Sequence, residues 1–145
     1  MGAKKVKAVV ADLHKFPNLH DRKKVLQTIK EYGKKIKADE LAAVYKNVGT
    51  ATMADFTNYI GGLPVHNFTS GRLVGPDERL KMGGDFIREI TLERGGQTHH
   101  ACMPGCMIEC SNVYADENGN EIASPVEYET IGLMGTNCGL TEPDD

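Results

Sequence analysis

Three cysteines fall within nine residues, at Cys102, Cys106 and Cys110, inside the stretch HHACMPGCMIECSNVYADENGNEIASPVEYE that runs from His99 to Glu129. Two carboxylates, Glu127 and Glu129, follow across a polar turn. Thiolates this close in sequence can converge on one soft metal ion or an iron–sulfur cluster, whereas isolated buried cysteines need no such spacing. The spacing is C-x3-C-x3-C, neither the usual zinc-finger pair nor the commonest ferredoxin run. A loop whose cysteines are small hydrophobes, or a disulfide with a spare thiol, is compatible with the same residues, so spacing alone leaves both readings open.

The elements that must position this stretch come from a chain of ordinary soluble composition, 145 residues with 40% apolar and 26% charged side chains. That length suffices for one domain with a core. No run reaches the roughly 18 apolar residues of a membrane span, and the N-terminus lacks an apolar signal region, so neither a membrane partner nor secretion is expected. Without an export signal, metal binding or reduced thiols outweigh two disulfides as the use of four cysteines. The net charge of −3 hides an asymmetry. Residues 1–37 hold eleven basic and three acidic side chains, a balance of +8, while residues 115–145 hold none and eight, a balance of −8. The basic residues interleave with an apolar strand and an amphipathic helix and bring no arginine cluster or stacking platform, which reads as a solvated face rather than a nucleic-acid surface.

Along the chain, Val6–Ala11 reads as a short edge strand. Asp21 can cap a helix through Val25, Leu26, Ile29 and Tyr32, weakened at its end by Gly33. A second helix starts at Ala38 or Asp39 and closes near Gly49; Thr52 and Asp55 can cap a third, which stops at Gly61. The segment GGLPVHNFTSG, residues 61–71, is too apolar for a free linker, and its Leu63, Val65 and Phe68 suggest a packed crossing in which Asn67 fixes backbone groups or, with His66, meets a ligand. Pro76 can open a further helix with Leu80, Phe86, Ile87 and Ile90 on its buried stripe, interrupted by Gly83 and Gly84. Neither GxGxxG nor a Walker sequence is present. Ile108–Tyr114 reads as a strand, Asp116–Asn120 as a hairpin turn, and a helix begins near Glu127. The expected fold class is therefore mainly α with a short N-terminal strand and a small β-hairpin.

Several of these segments, taken in order, resemble the tungsten-pterin aldehyde ferredoxin oxidoreductase family. MGAKKVKAV at residues 1–9 is similar to the family's MGSKNLKAI; Gly49–Thr50, then GGLPVHNF at residues 61–68 with Gly71, are similar to its G-T and G-x-x-P-x-x-N-F-x-x-G stretches. Cys102 and Cys106 match part of its cluster loop, and Glu127, Tyr128 and Glu129 match its P-E-Y-E segment. The resemblance covers nearly the whole chain. It implies a partial domain of a larger cytoplasmic, oxygen-sensitive enzyme, with residues 1–12 ending an N-terminal sheet domain and residues 13–145 forming a helical middle-domain fragment.

In that family aldehydes are oxidised to carboxylic acids at tungsten or molybdenum held by two pterins, and electrons leave through a [4Fe-4S] cluster to ferredoxin. The resemblance implies Cys102 and Cys106 as cluster ligands, Glu127 as a catalytic carboxylate beside the metal centre, and Asn67 with Glu127 as cofactor-binding residues. The family's loop is C-x2-C-x3-C, and its first cysteine falls on His99 here; either His99 is the ligand or Cys110 replaces it, the thiolate being the softer donor. Cys138 reads as a packed thiol. Glu127 also suits a helix-start carboxylate paired to backbone N–H groups, and Glu129 suits packing or polar support. With much of the family's pocket lying elsewhere, the cofactors are expected to be incomplete or absent in this chain and the isolated chain to be inactive, its partners being the remainder of the enzyme, ferredoxin and a small aldehyde. Two other readings stay open: a stand-alone zinc-binding protein using the three cysteines with His99 or His100, and a structural interaction fragment whose half-exposed helices form a homodimer.

Overall fold

A computed structural model of the chain describes residues 5, 8–10, 12, 14 and 18–145. The chain divides into two compact units, Met1–Tyr32 and Gly33–Asp145. The strand expected over Val6–Ala11 falls where Val6, Lys7 and Ala11 lie outside the described residues. In the first unit Asp21 does what its position predicts: its carboxylate accepts the Lys24 N–H at 2.9 Å and opens helix α1, Arg22–Lys37. Helix α1 buries none of its residues, and Leu26, Ile29 and Tyr32 of its apolar stripe are exposed. It also runs on through Gly33, a substitution-scale cost of about 1 kcal/mol relative to alanine that one helical residue can absorb.

The second unit holds helices α2 (Glu40–Val48), α3 (Thr52–Ile60) and α4 (Gly84–Glu93), followed by strands β1 (His99–His100), β2 (Ser111–Ala115) and β3 (Glu121–Val126). The strands form one antiparallel sheet in the order β1-β2-β3. The described chain is thus mainly helical with a small sheet built on the expected hairpin. Asp116 makes the hairpin turn, since its carboxylate accepts the N–H groups of Asn118 and Asn120, both at 2.9 Å. The strand expected from Ile108 starts only at Ser111, and the two-residue β1 is too short to show any periodicity.

All five residues of β2 are buried, because α4 covers this central strand. The core joins Ala51, Ala54, Leu63, Val65, Leu80, Met82, Ile87, Tyr114 and Ile131. Leu63 and Val65 bury the middle of the 61–71 segment as expected, but Phe68 is exposed. Helix α4 begins at Gly84 and not at Pro76, and Asp55 does not cap its own helix α3. The two corrections share one cause. A Cβ at Gly84 would stand 2.6 Å from the Thr52 nitrogen, so the start of α4 is pressed onto the start of α3, where Asp55 accepts the Gly84 N–H at 2.7 Å. Burial pushes the Asp55 carboxyl up, and that hydrogen bond partly offsets the rise.

The final helical segment starts at Tyr128, runs as a π-helix over Thr130–Gly135 and tightens to a 3-10 turn at Thr136–Cys138. Thr136 Oγ1 donates to the Pro64 carbonyl at 2.6 Å and so ties this segment to the 61–71 loop. Cys138, expected to be packed, is exposed. Its 3-10 turn carries it away from the face that buries Ile131 and Thr136.

Candidate functional site

The site is built where the loop after α2, the end of the cysteine loop and the start of the last helix meet. Asp39 opens α2 by accepting the Ala42 N–H at 2.8 Å, and Gly49 closes it. Gly49 has φ 80° and ψ −173°, a conformation essentially confined to glycine, and a Cβ there would lie 2.1 Å from Asn112 Oδ1. The buried Asn112 amide sits against this bend and clamps both its sides. It donates to the Val48 carbonyl at 2.7 Å and accepts the Ala51 N–H at 3.2 Å.

Between those two anchors stands Thr50. Its N–H donates to the Cys110 carbonyl at 3.0 Å, its hydroxyl donates to Glu127 Oε2, and its own Oγ1 accepts the Tyr128 N–H at 3.1 Å. Ser111, fully buried beside Cys110, donates its hydroxyl to Glu127 Oε1 at 2.6 Å. Both oxygens of the half-buried Glu127 therefore accept an O–H. The carboxylate is held by two hydroxyls and not by backbone N–H groups; the free N–H at the helix start goes to Thr50 instead. Glu129 is exposed.

The cysteine loop is graded. Residues 102–105 are exposed, residues 106–110 are half-buried, and β2 beyond them is buried. Cys102, Cys106 and Cys110 are all free thiols. Burial pushes the Cys110 thiol up, and the negative charge of Glu127, then of Cys106 and Cys102, pushes it further. The half-buried end of the loop is held from α2 by Lys46, whose ammonium donates to the Met107 carbonyl at 3.0 Å and to Glu109 Oε2 at 2.9 Å. That hydrogen bond keeps the Glu109 carboxyl below the usual range, and Glu109 itself adopts a left-handed φ of 55°. His99, on β1, turns Nδ1 to Thr98 Oγ1 at 2.8 Å and Nε2 toward Glu109 at 3.9 Å.

Asn67 stands apart from this cluster, in the 61–71 loop. His66, Asn67 and Phe68 form three consecutive left-handed residues, with φ of 47°, 56° and 61°. The turn is held from outside. His66 N–H donates to the Thr136 carbonyl at 3.1 Å, Asn67 N–H to the Asn137 carbonyl at 2.7 Å, and Phe68 N–H to Asn137 Oδ1 at 2.8 Å. The Asn67 side chain is left exposed, so Asn137 does the fixing that the sequence assigns to Asn67.

Three soft sulfur donors on one loop suit an iron–sulfur cluster in kind. Among the described residues, no three His, Cys, Asp or Glu side chains converge as a ready metal site. The structure thus brings Glu127 and Cys110 together, places Cys102, Cys106 and His99 on the same loop and its entry strand, and leaves Asn67 elsewhere. Sequence reasoning missed Ser111, Asn112 and Lys46, which carry no local signature. Thr50 was visible only as half of the Gly49–Thr50 motif.

The family described as "Aldehyde ferredoxin oxidoreductase, domains 2 & 3" matches residues 27–145, and the chain belongs to that family. Among its relatives is a protein of Pyrococcus abyssi named tungsten-containing aldehyde ferredoxin oxidoreductase, 29% identical over 143 residues that cover 98% of this chain and 22% of the relative. Proteins of the same name from Pyrococcus horikoshii and Pyrococcus furiosus are 29% and 27% identical, with the same coverage. The chain spans about a fifth of the length of these relatives. No helix among the described residues is long and apolar enough to cross a membrane.

Proposed function

We propose that this chain forms the cysteine-loop and carboxylate wall of a cytoplasmic enzyme that oxidises aldehydes to carboxylic acids and passes the electrons to ferredoxin. Family membership supports the reaction class, and the observation that carries the local reading is the Glu127 carboxylate held by Thr50 and Ser111 next to Cys110. Cys102 and Cys106, with Cys110 or His99, are the residues that would hold a [4Fe-4S] cluster, with Cys138 or a group from outside the chain as a further ligand. Asn67 is proposed to meet the pterin part of the cofactor through its exposed side chain. A tungsten or molybdenum bis-pterin supplies the two-electron redox step when bound.

The balance of the reaction defines what the protein must do. An aldehyde and one water give a carboxylate, two electrons and three protons. The protons need acceptors at the place where water is consumed, and an ionised carboxylate is such an acceptor. Glu127 receives one O–H on each oxygen, which fixes its plane and still leaves lone pairs able to take a proton from water. The same hydroxyls keep it beside the cysteine loop and away from free rotation.

The test is the iron, acid-labile sulfide and visible spectrum of the anaerobically purified complete enzyme that carries this segment, with Cys102→Ser, Cys106→Ser and Cys110→Ser beside it. Iron with sulfide, lost in the serine variants, is the expected result. Zinc without sulfide would sink this reading in favour of a stand-alone zinc-binding protein.

A further inference from the structure

The GT bend and the Glu127 segment are 77 residues apart in sequence, and a single side chain joins them. We infer that Thr50 is the positioning residue that sets the Glu127 carboxylate at a fixed place relative to the cysteine loop. This rests on the catalytic reading of Glu127 given above, and extends it to a residue that neither touches the thiols nor reacts itself.

Thr50 owns one proton and two lone pairs. Its oxygen already accepts the Tyr128 N–H, the first free backbone donor of the last helix, so its own proton is directed to Glu127 Oε2. A residue serving only as a helix cap needs the acceptor lone pair and no donor. The donor arm is an additional contact, and it lands on the carboxylate. The backbone N–H of the same residue holds the Cys110 carbonyl at 3.0 Å, so one residue spans the interval between the proposed redox loop and the proposed proton acceptor.

That residue is itself immobilised. Asn112 clamps its neighbours on both sides through Val48 and Ala51, and the Gly49 backbone that precedes it admits no Cβ. Ser111, next to Cys110 in sequence, repeats the pattern on the other carboxylate oxygen. Supporting groups whose own positions are locked are what hold a reacting side chain within a few tenths of an ångström of its working geometry.

Thr50→Val keeps the shape and removes the hydroxyl; Thr50→Ser keeps the hydroxyl. Hydrogen exchange of the Tyr128 amide is expected to quicken at least about tenfold in Thr50→Val and to stay near the original rate in Thr50→Ser. The infrared carboxylate band of isotopically labelled Glu127, assigned by its loss in Glu127→Gln, should move toward that of a free carboxylate in Thr50→Val, and partway in Ser111→Ala. In the complete, anaerobically loaded enzyme of which this chain is proposed to be a part, Thr50→Val should lower kcat about tenfold with KM within twofold, and Thr50→Ser should restore it.

An unchanged band and unchanged Tyr128 exchange in Thr50→Val overturn the inference, whatever the activity. A kcat loss in Thr50→Val that Thr50→Ser fails to restore overturns it as well. If both spectroscopic changes occur but Glu127→Gln keeps full kcat, the catalytic reading of Glu127 falls while the anchoring of its carboxylate by Thr50 stands.

Discussion

Gly49→Ala tests the joint on which the whole site turns. The new methyl would enter a backbone conformation with φ 80° and ψ −173°, and would stand 2.1 Å from Asn112 Oδ1. Holding a non-glycine residue in that region costs about 1–3 kcal/mol. The clash is with a buried amide and not with the tip of a flexible chain, so relief requires Asn112 to leave Val48 and Ala51. Leaving buried partners unsatisfied costs a further 1–3 kcal/mol or so. The expected total is roughly 4 kcal/mol. Read by urea denaturation with a slope of about 1.5 kcal/mol per molar, that is a midpoint lowered by roughly 2.5 M. The double variant Gly49→Ala/Asn112→Ala should lose less than the sum of the two single changes, because the loss of the Asn112 bonds is counted in both single variants but occurs once in the double, where the clash is also gone. A midpoint lowered by less than about 0.5 M, or strict additivity, would refute the account of this bend.

The Asp144 carboxylate accepts from Arg94 Nη1 and Nη2 at 2.9 and 2.8 Å and from the Tyr114 hydroxyl at 2.5 Å, and Arg94 holds its carboxyl below the ordinary aspartate range. Its folded value is depressed, so its stabilisation is present above about pH 4 and is lost as pH falls through the folded value; Asp144→Asn should flatten the acid limb of a stability–pH curve, and an unaltered limb would show that the Arg94 and Tyr114 contacts of Asp144 add no stability. Burial, then Asp144, pushes the Tyr114 phenol up to about 12, so ultraviolet titration should show one late tyrosine that Tyr114→Phe removes. Asn137→Ala should cost about 1 kcal/mol in thermal unfolding and speed exchange of the Phe68 amide, because the left-handed turn loses the acceptor at 2.8 Å; protection that survives would mean the turn holds itself. Lys46→Met should raise the Glu109 carboxyl toward its ordinary value in a carbon-detected titration and quicken alkylation of Cys110 in metal-free chain, and equal alkylation rates would show that the tether does not restrain the loop.

What the sequence disclosed were the features decided within a turn or two of chain. Asp21 and Asp39 cap the helices they precede, Gly49 and Gly61 end theirs, and Asp116 folds the hairpin. Each is a local contest between a side chain and its own backbone, and local patterns resolve it. Asp55 shows where this fails. Its spacing from Thr52 suits a cap on α3, but a stronger claim on its carboxylate comes from Gly84, 29 residues on, once α4 is pressed against α3. The glycine pair that looked like an interruption in a helix is the contact surface that permits that approach. In the same way Glu127 has the look of a carboxylate at a helix start. The hydroxyls that bind it belong to residues 77 and 16 positions away, which no period in the sequence brings together.

The grading of the cysteine loop follows from the same long-range contacts. Its Cys110 end is fixed by the Thr50 N–H, by Lys46 on Met107 and Glu109, and by entry into buried β2. Its Cys102 end is exposed, with a single turn bond from Cys106 N–H to the Met103 carbonyl at 3.1 Å. The conformational entropy of gathering three thiols has therefore already been spent at one end and not at the other. Metal capture by such a loop has little to reorganise at Cys110, where the thiol must still lose the proton that burial and Glu127 favour, and most of its ordering falls on residues 102–106. In the proposed cluster reading, a carboxylate fixed beside the rigid end would keep its place as residues 102–106 order, because its two hydroxyl donors, Thr50 and Ser111, lie outside that part of the loop.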